Sequence, residues 1–205
     1  SAFTASAQRL SVSGRVVDSE AQPITYASVA LTQNDKLITG CTSDIEGKFS
    51  LEANAGDYEL VISFIGYEYY KQPIALTQSI NLADIVLTES SEQIEEVVVT
   101  SQLIRREADR FVVDVANSPL AMGKDGEELL KSSPGVWIQD DKISINGSSG
   151  SKIYLNDREV KLDDAQLMDY LRSLRADEIQ RIEVIPQSGA DYDANSSGGI
   201  IKITM

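Results

Sequence analysis

The chain has 205 residues, 42% of them hydrophobic and 24% charged, with 18 Lys and Arg against 32 Asp and Glu for a net charge of −14. That is the composition of a folded protein of one large or two ordinary domains. Its acidity excludes a nucleic-acid binder, which needs a basic face to neutralise phosphates, and disfavours docking on an anionic lipid surface. Histidine is absent and Cys41 is the sole cysteine, which removes the histidine-based triads, most zinc sites and any intramolecular disulfide.

The chain opens on a small, weakly apolar segment in which Ala5-Ser6-Ala7 precedes Gln8. This A-x-A form is that of an export-signal cleavage site, so residues 1–9, set apart as a signal remnant or leader, hold either the end of an export signal at Ser1–Ala7, with the mature chain starting at Gln8, or an ordinary chain terminus. No run of about 18 apolar residues follows, so no helical membrane span is expected.

From Leu10 to Leu87 the pattern is all strand. Leu10, Val12 and Val16 alternate with polar positions, which places them on one face. Further strands are expected at 27–32, 37–41, 48–51, 58–65, 67–74 and 80–87. Polar turns separate them, among them Asp44–Gly47, whose glycine can accept a positive φ. Seven short strands with turn signals every 8–12 residues or so predict a β-sandwich over residues 10–88. Cys41, on a strand, reads as a small buried residue. Tyr67, Tyr69 and Tyr70 could stack on a sugar or a partner, but core and edge packing explains them more simply, with Tyr67 and Tyr69 on one face.

Residues 89–102 change character. An acidic, polar run leads into Ile94-Glu-Glu-Val-Val-Val-Thr-Ser101, whose three consecutive valines favour an extended strand. A short apolar strand in a solvated linker either pairs within the chain or adds to a sheet edge on another protein.

After the linker, helices and strands interleave, which predicts an α/β or α+β domain over 103–205 with its own core. Strands are expected at 111–115, 142–146, 152–155, 181–185 and 198–204. Helices are expected at 124–132, stopping before Pro134-Gly135, and at 163–174, where Asp163 caps and Gln166 closes a capping box. Leu167, Tyr170, Leu171 and Leu174 form the apolar stripe of the second helix. Trp137 reads as core.

Three constellations could carry chemistry. Asp191-x-Asp193-x-Asn195 opens like a calcium loop, but Ser196 and Lys202 replace the glycine and the bidentate glutamate, so a polar turn explains it better. Asp157, Asp163 and Asp164 could be imagined as a carboxylate pair, yet Asp163 is a helix cap and Asp157 a turn residue. Lys124, Lys131 and Lys152 lie near serines with nothing to fix a Ser–Lys dyad, and read as solvated.

The first half resembles the carboxypeptidase regulatory-like domain, a seven-stranded transthyretin-like sandwich. The residues carrying this are 12–18, Pro23 with Ala27-Ser-Val29, Thr42–Phe49, Gly56-Asp-Tyr58 and Ile62–Tyr67. The second half resembles the plug domain of TonB-dependent outer-membrane receptors. That likeness rests on Leu129–Val136, Ile143–Gly147, Ile153–Asp157, Ala176–Val184, Ser188–Asp193 and Gly198–Thr204, in order. The implied fold is multi-domain, an all-β sandwich followed by an α+β plug with a mixed sheet and short helices. The implied function is the periplasmic extension and plug of an energy-coupled importer, gating nutrient uptake through a downstream β-barrel, with no covalent chemistry and no cofactor.

On this resemblance Glu95, Glu96, Val97, Val98, Val99 and Thr100 are the TonB box. Gly147, Ser148, Ser149, Gly150, Ser188, Gly189 and Asp191 would line ligand-facing loops. The implied partners are the periplasmic domain of TonB and the protein's own barrel; whether the sandwich docks on the plug, on a surface lipoprotein or on nothing is left open. The implied location is the outer membrane, on its periplasmic side and inside the barrel lumen. A secreted or surface glycan-binding protein using the sandwich is the alternative. The cargo (siderophore, oligosaccharide, peptide or vitamin) is not legible.

Overall fold

Alternation of apolar and polar residues along nearly every early strand dictates two sheets facing one another. In the computed structural model, which describes residues 8–90, 104–186 and 198–205, β1 (Arg9–Val17) lies between β4 (Lys48–Asn54) and β7 (Ile80–Val86). It runs antiparallel to β4 and parallel to β7. The second sheet is antiparallel, in the order β3 (Lys36–Thr42), β2 (Ser28–Gln33), β5 (Gly56–Ser63), β6 (Tyr70–Leu76). On β4 burial alternates strictly, with Phe49, Leu51 and Ala53 inside. They meet Val12 and Val16 from β1 and Val29, Leu31, Leu60 and Ile62 from the other sheet in one core.

The expected strand at 67–74 starts three residues late. Tyr67 leaves the ladder to bridge Glu89, and only Tyr70 onward pairs with β5. The tyrosines therefore divide differently from simple alternation: Tyr67 and Tyr70 pack against the core, whereas Tyr69 is 55% exposed. Cys41 is half-buried rather than fully inside.

The remaining residues build a six-stranded mixed sheet. Its order is β14 (Arg158–Glu159), β13 (Lys152–Leu155), β16 (Ile200–Thr204), β15 (Arg181–Ile185), β9 (Phe111–Asp114), β8 (Ile104–Arg106). Only β13 and β16 are parallel among its pairs, with Ile153 opposite Ile201. A separate three-stranded sheet joins β10 (Val136–Gln139), β11 (Lys142–Ile145) and β12 (Ser148–Ser149). Ser148 and Ser149, between two expected strands, thus supply a short strand of their own.

Two helices cover this core. Helix α1 (Gly126–Lys131) and helix α2 (Asp164–Ser173) each begin with a complete capping box, Asp125 with Glu128 and Asp163 with Gln166. Their apolar faces insert Leu129, Leu130, Met168 and Leu171 among the sheet residues Val113, Ile182, Ile201 and Ile203. The stripe on α2 is centred on Met168 and Leu171, with Leu167 and Tyr170 only partly buried. Gly126 allows the close approach, since a Cβ there would stand 2.7 Å from the Leu171 carbonyl oxygen. An ion pair ties the outer surfaces: the Arg172 Nε–H donates to Glu127 at 2.6 Å, with Lys131 Nζ at 3.3 Å. These hydrogen bonds hold the Glu127 carboxyl below the usual carboxylate range.

Candidate functional site

A segment that must reach a partner needs firm attachment on either side. The valine-rich segment, Glu95 to Thr100, lies outside the described residues, as do Ser188, Gly189, Asp191 and the calcium-like triplet. The attachments of that segment are described. On the sandwich side the Ser90 N–H donates to the Gly66 carbonyl at 2.9 Å and the Glu68 N–H donates to Thr88 at 2.8 Å. Burial, with the Asp18 and Glu89 carboxylates nearby, pushes the Tyr67 phenol at this junction up to about 12. On the other side Ile104, only 5% exposed, sits in the core of the second unit, and β8 pairs with β9.

Both attachments lie beside a seam between the two units. Ile65, next to Gly66, is buried in the second unit's core, with Tyr26 and Phe64 packed against it. Tyr26 meets Phe111 edge-on with ring centroids 5.0 Å apart. The buried hydroxyl of Ser28 accepts the Gly135 N–H at 2.8 Å and faces the Ser133 carbonyl at 3.5 Å. The Leu37 N–H donates to Gln139 Oε1 at 3.0 Å. Gly147, with φ +86°, lies against β3, where an added Cβ would stand 3.2 Å from Thr39 Cα. Gly147 is half-buried there, whereas Ser148 and Gly150 are exposed. Sequence reasoning did not find Ser28, Gly135 or Gln139. Their partners are more than a hundred residues away in the chain, and only the Pro134-Gly135 turn left a local trace.

Of the carboxylates and lysines singled out in the sequence, three have local structural roles among the described residues. Asp163 caps α2, Asp157 adopts φ +65° in the turn between β13 and β14, and Lys131 pairs with Glu127. Hydrogen bonds to Asp109 and then Glu183 hold the Arg110 guanidinium above its ordinary value, across the edge of the sheet. Among the described residues no cluster of three or more acidic or cysteine side chains could hold a metal ion, and no helix is long and apolar enough to cross a membrane.

Burial pushes the Cys41 thiol up from 9.0 to about 11, partly offset by a backbone hydrogen bond from Ser50. Because the thiolate is the nucleophile, native alkylation by iodoacetamide is expected to be slow at pH 8 and to accelerate only as the pH nears 11. The unfolded chain should react as an ordinary thiol. The sign for stability follows: this preference for the neutral thiol supports the fold below pH 9 and is lost as the pH rises through 11. Equal alkylation rates for native and unfolded chain at pH 8 would contradict the burial.

Comparison with known proteins bears on both units. Residues 12–99 match the CarboxypepD_reg-like domain. Over 97% of the chain the sequence is 25% identical to the TonB-dependent receptor SusC of Bacteroides thetaiotaomicron, and over 94% it is 24% identical to a TonB-dependent receptor of Formosa agariphila. The chain spans about a fifth of the length of these curated relatives (21% and 19%). Among solved structures, a DUF3823 family protein from Bacteroides ovatus overlaps 51% of this chain and 54% of its own, at 15% identity and a TM-score of 0.34.

Proposed function

Because the chain is homologous to TonB-dependent receptors along nearly its whole length and carries a CarboxypepD_reg-like domain at residues 12–99, we propose that it is the periplasmic extension and plug of an energy-coupled outer-membrane importer. The observation that carries this reading is the extent of the homology, which covers 97% of the chain and so takes in both the sandwich and the second unit. On this reading residues 103–205 occlude the lumen of a β-barrel and gate the entry of a nutrient. Glu95 to Thr100 are the TonB box: an extended, β-branched strand that adds to the edge of a periplasmic sheet by main-chain hydrogen bonds. The side chains then need only be compatible with a strand, and the backbone bonds transmit traction.

The attachments described above suit that role. Traction on the linker is resisted at one end by the Ser90–Gly66 hydrogen bond and at the other by the buried Ile104 and its ladder to β9. Gly147, Ser148, Ser149, Gly150, Ser188, Gly189 and Asp191 are then the ligand-facing loops. Since Gly147 rests on Thr39 and Gly40 here, the sandwich covers that end of the turn, while Ser148 and Gly150 stay open to a ligand.

Fractionated cells probed with an antibody raised against this chain provide the test. The expected result is one band about five times the 22.4 kDa of the chain, in the outer-membrane fraction, because the chain spans 21% of its SusC relative. A band near 22.4 kDa in a soluble fraction would overturn the importer reading.

A further inference from the structure

A cleft of 510 Å³ opens where β9 runs out, at the same end of the sheet as Thr204. Its walls are Val115-Ala116 and Ser118 after β9, Ala121 to Lys124 leading into α1, and Arg175 to Asp177 after α2. Backbone hydrogen bonds fix these pieces to one another. The Ala176 N–H donates to Lys124 O at 3.0 Å, the Lys124 N–H to Ala121 O at 3.1 Å, and the Val115 and Ala116 N–H groups share the Gln180 carbonyl.

The chemistry inside is unusual for this protein. Ser118 is 8% exposed, lines the cleft, and its hydroxyl has no hydrogen-bond partner. An unpaired buried hydroxyl is costly, and native structures seldom leave one without a reason. Two cations stand on the rim. Lys124 forms no ion pair among the described residues, and Arg175 meets only Asp177, at 2.9 Å in an exposed pair that water already screens. The run from Val115 to Lys124 contains no Asp or Glu in a chain of net charge −14. Val115, Ala121 and Ala176, all buried, give the cleft apolar walls.

We infer that this cleft is a binding site for a carboxylate carried on a short apolar stem. A carboxylate only accepts hydrogen bonds, so it suits the Lys124 ammonium and the Arg175 guanidinium on the rim, and the Ser118 O–H once that side chain rotates into the cleft, since its oxygen has no accessible surface as it stands; the stem lies on the alanines and Val115. With Asp177 offsetting one cation, the site matches one negative charge rather than the two of a phosphate. The carboxylate can belong to a free small acid or to an acidic side chain of an extended segment. This inference stands independently of the importer reading.

The test is an NMR titration of the whole chain with butyrate, with its neutral isostere butyramide, and with acetyl-Ala-Glu-Ala-amide. Saturable shifts at residues 115–124 and 175–177 are expected for the acids and not for butyramide. Tighter binding of butyrate identifies a free acid as the ligand, and tighter binding of the peptide identifies an acidic side chain. Lys124→Gln and Ser118→Ala should each weaken binding about tenfold. Ser118→Ala should leave the melting temperature unchanged or raised, because it removes an unsatisfied buried group. Equal binding of acid and amide, no saturable shift, or affinity untouched by either substitution overturns the site. A fall in melting temperature for Ser118→Ala does so too, since it would mark the hydroxyl as structural.

Discussion

Gly47→Ala is expected to destabilise the sandwich by about 3 kcal/mol, a fall in its melting temperature on the order of 10–20 °C. Gly47 ends the turn that joins β3 to β4 and adopts φ +77°. An L side chain in that region costs roughly 1–2 kcal/mol by itself. The larger part is steric: a Cβ would stand 2.4 Å from the Val16 carbonyl oxygen and 3.2 Å from Pro23 Cβ. The carbonyl cannot yield cheaply, because it accepts the Ile24 N–H at 2.9 Å, while the Val16 N–H donates to Gly47 O at 2.7 Å. Relief on the glycine side is blocked as well. Asp44 Oδ1 holds the turn by accepting the N–H groups of Glu46 and Lys48, both at 2.9 Å.

Gly123→Ala is the internal control for this prediction. Gly123 shares φ +77°, but nothing lies within 4 Å of its added Cβ, so only the conformational cost of about 1 kcal/mol is expected. Thermal unfolding of the two variants beside the parent chain separates the contributions. Equal shifts for both would mean that the contact with Val16 contributes nothing.

This turn also marks how far the sequence could be read. Asp44-Ile-Glu-Gly47 announces its geometry locally, and β4 announces its face by alternating Phe49, Leu51 and Ala53 with polar residues. The seven sandwich strands were legible for that reason, as were the caps at Asp163 and Gln166. Strands without such a signature were not. Arg105 and Arg106 in β8, and Arg158 and Glu159 in β14, are exposed and polar; they are strands only because an edge is available to pair with. Ser148 and Ser149 sit in a run that reads as flexible, and become a strand by pairing with Ser144 and Ile145.

Tyr67 shows a different failure. Its aromatic neighbours favour a strand, but the bridge to Glu89, more than twenty residues on, takes it out of the ladder. The seam is the same problem at longer range. Ser28 looks like any strand serine until Gly135 arrives to donate to it. Local propensity carries no information about a contact made across 107 residues. The cleft around Ser118 was also missed. From the sequence Lys124 is a solvated lysine, and only the third dimension places it on one cleft with Arg175 and Ser118.

If Glu95 through Thr100 is the TonB box, as proposed, its deletion is expected to have the largest functional effect. Strand addition gains its affinity from consecutive main-chain hydrogen bonds, each contributing about 1 kcal/mol net, so removing the whole strand should cost at least a hundredfold in affinity. Substituting single side chains, such as Glu95→Ala, should change little by comparison. Val98→Pro removes one donor and should weaken binding markedly. The deletion leaves Ser90 and Ile104, the two described anchors, in place. The fold is therefore expected to survive, with an unchanged circular dichroism spectrum and melting temperature.

The most direct measurement is therefore the affinity of the purified chain for the periplasmic domain of TonB, by titration calorimetry, with and without residues 95–100. Saturable binding by the full chain that disappears on deletion, with the fold intact, is the result expected of an energy-coupled receptor. Binding that survives the deletion unchanged, or no binding by either chain, would contradict it.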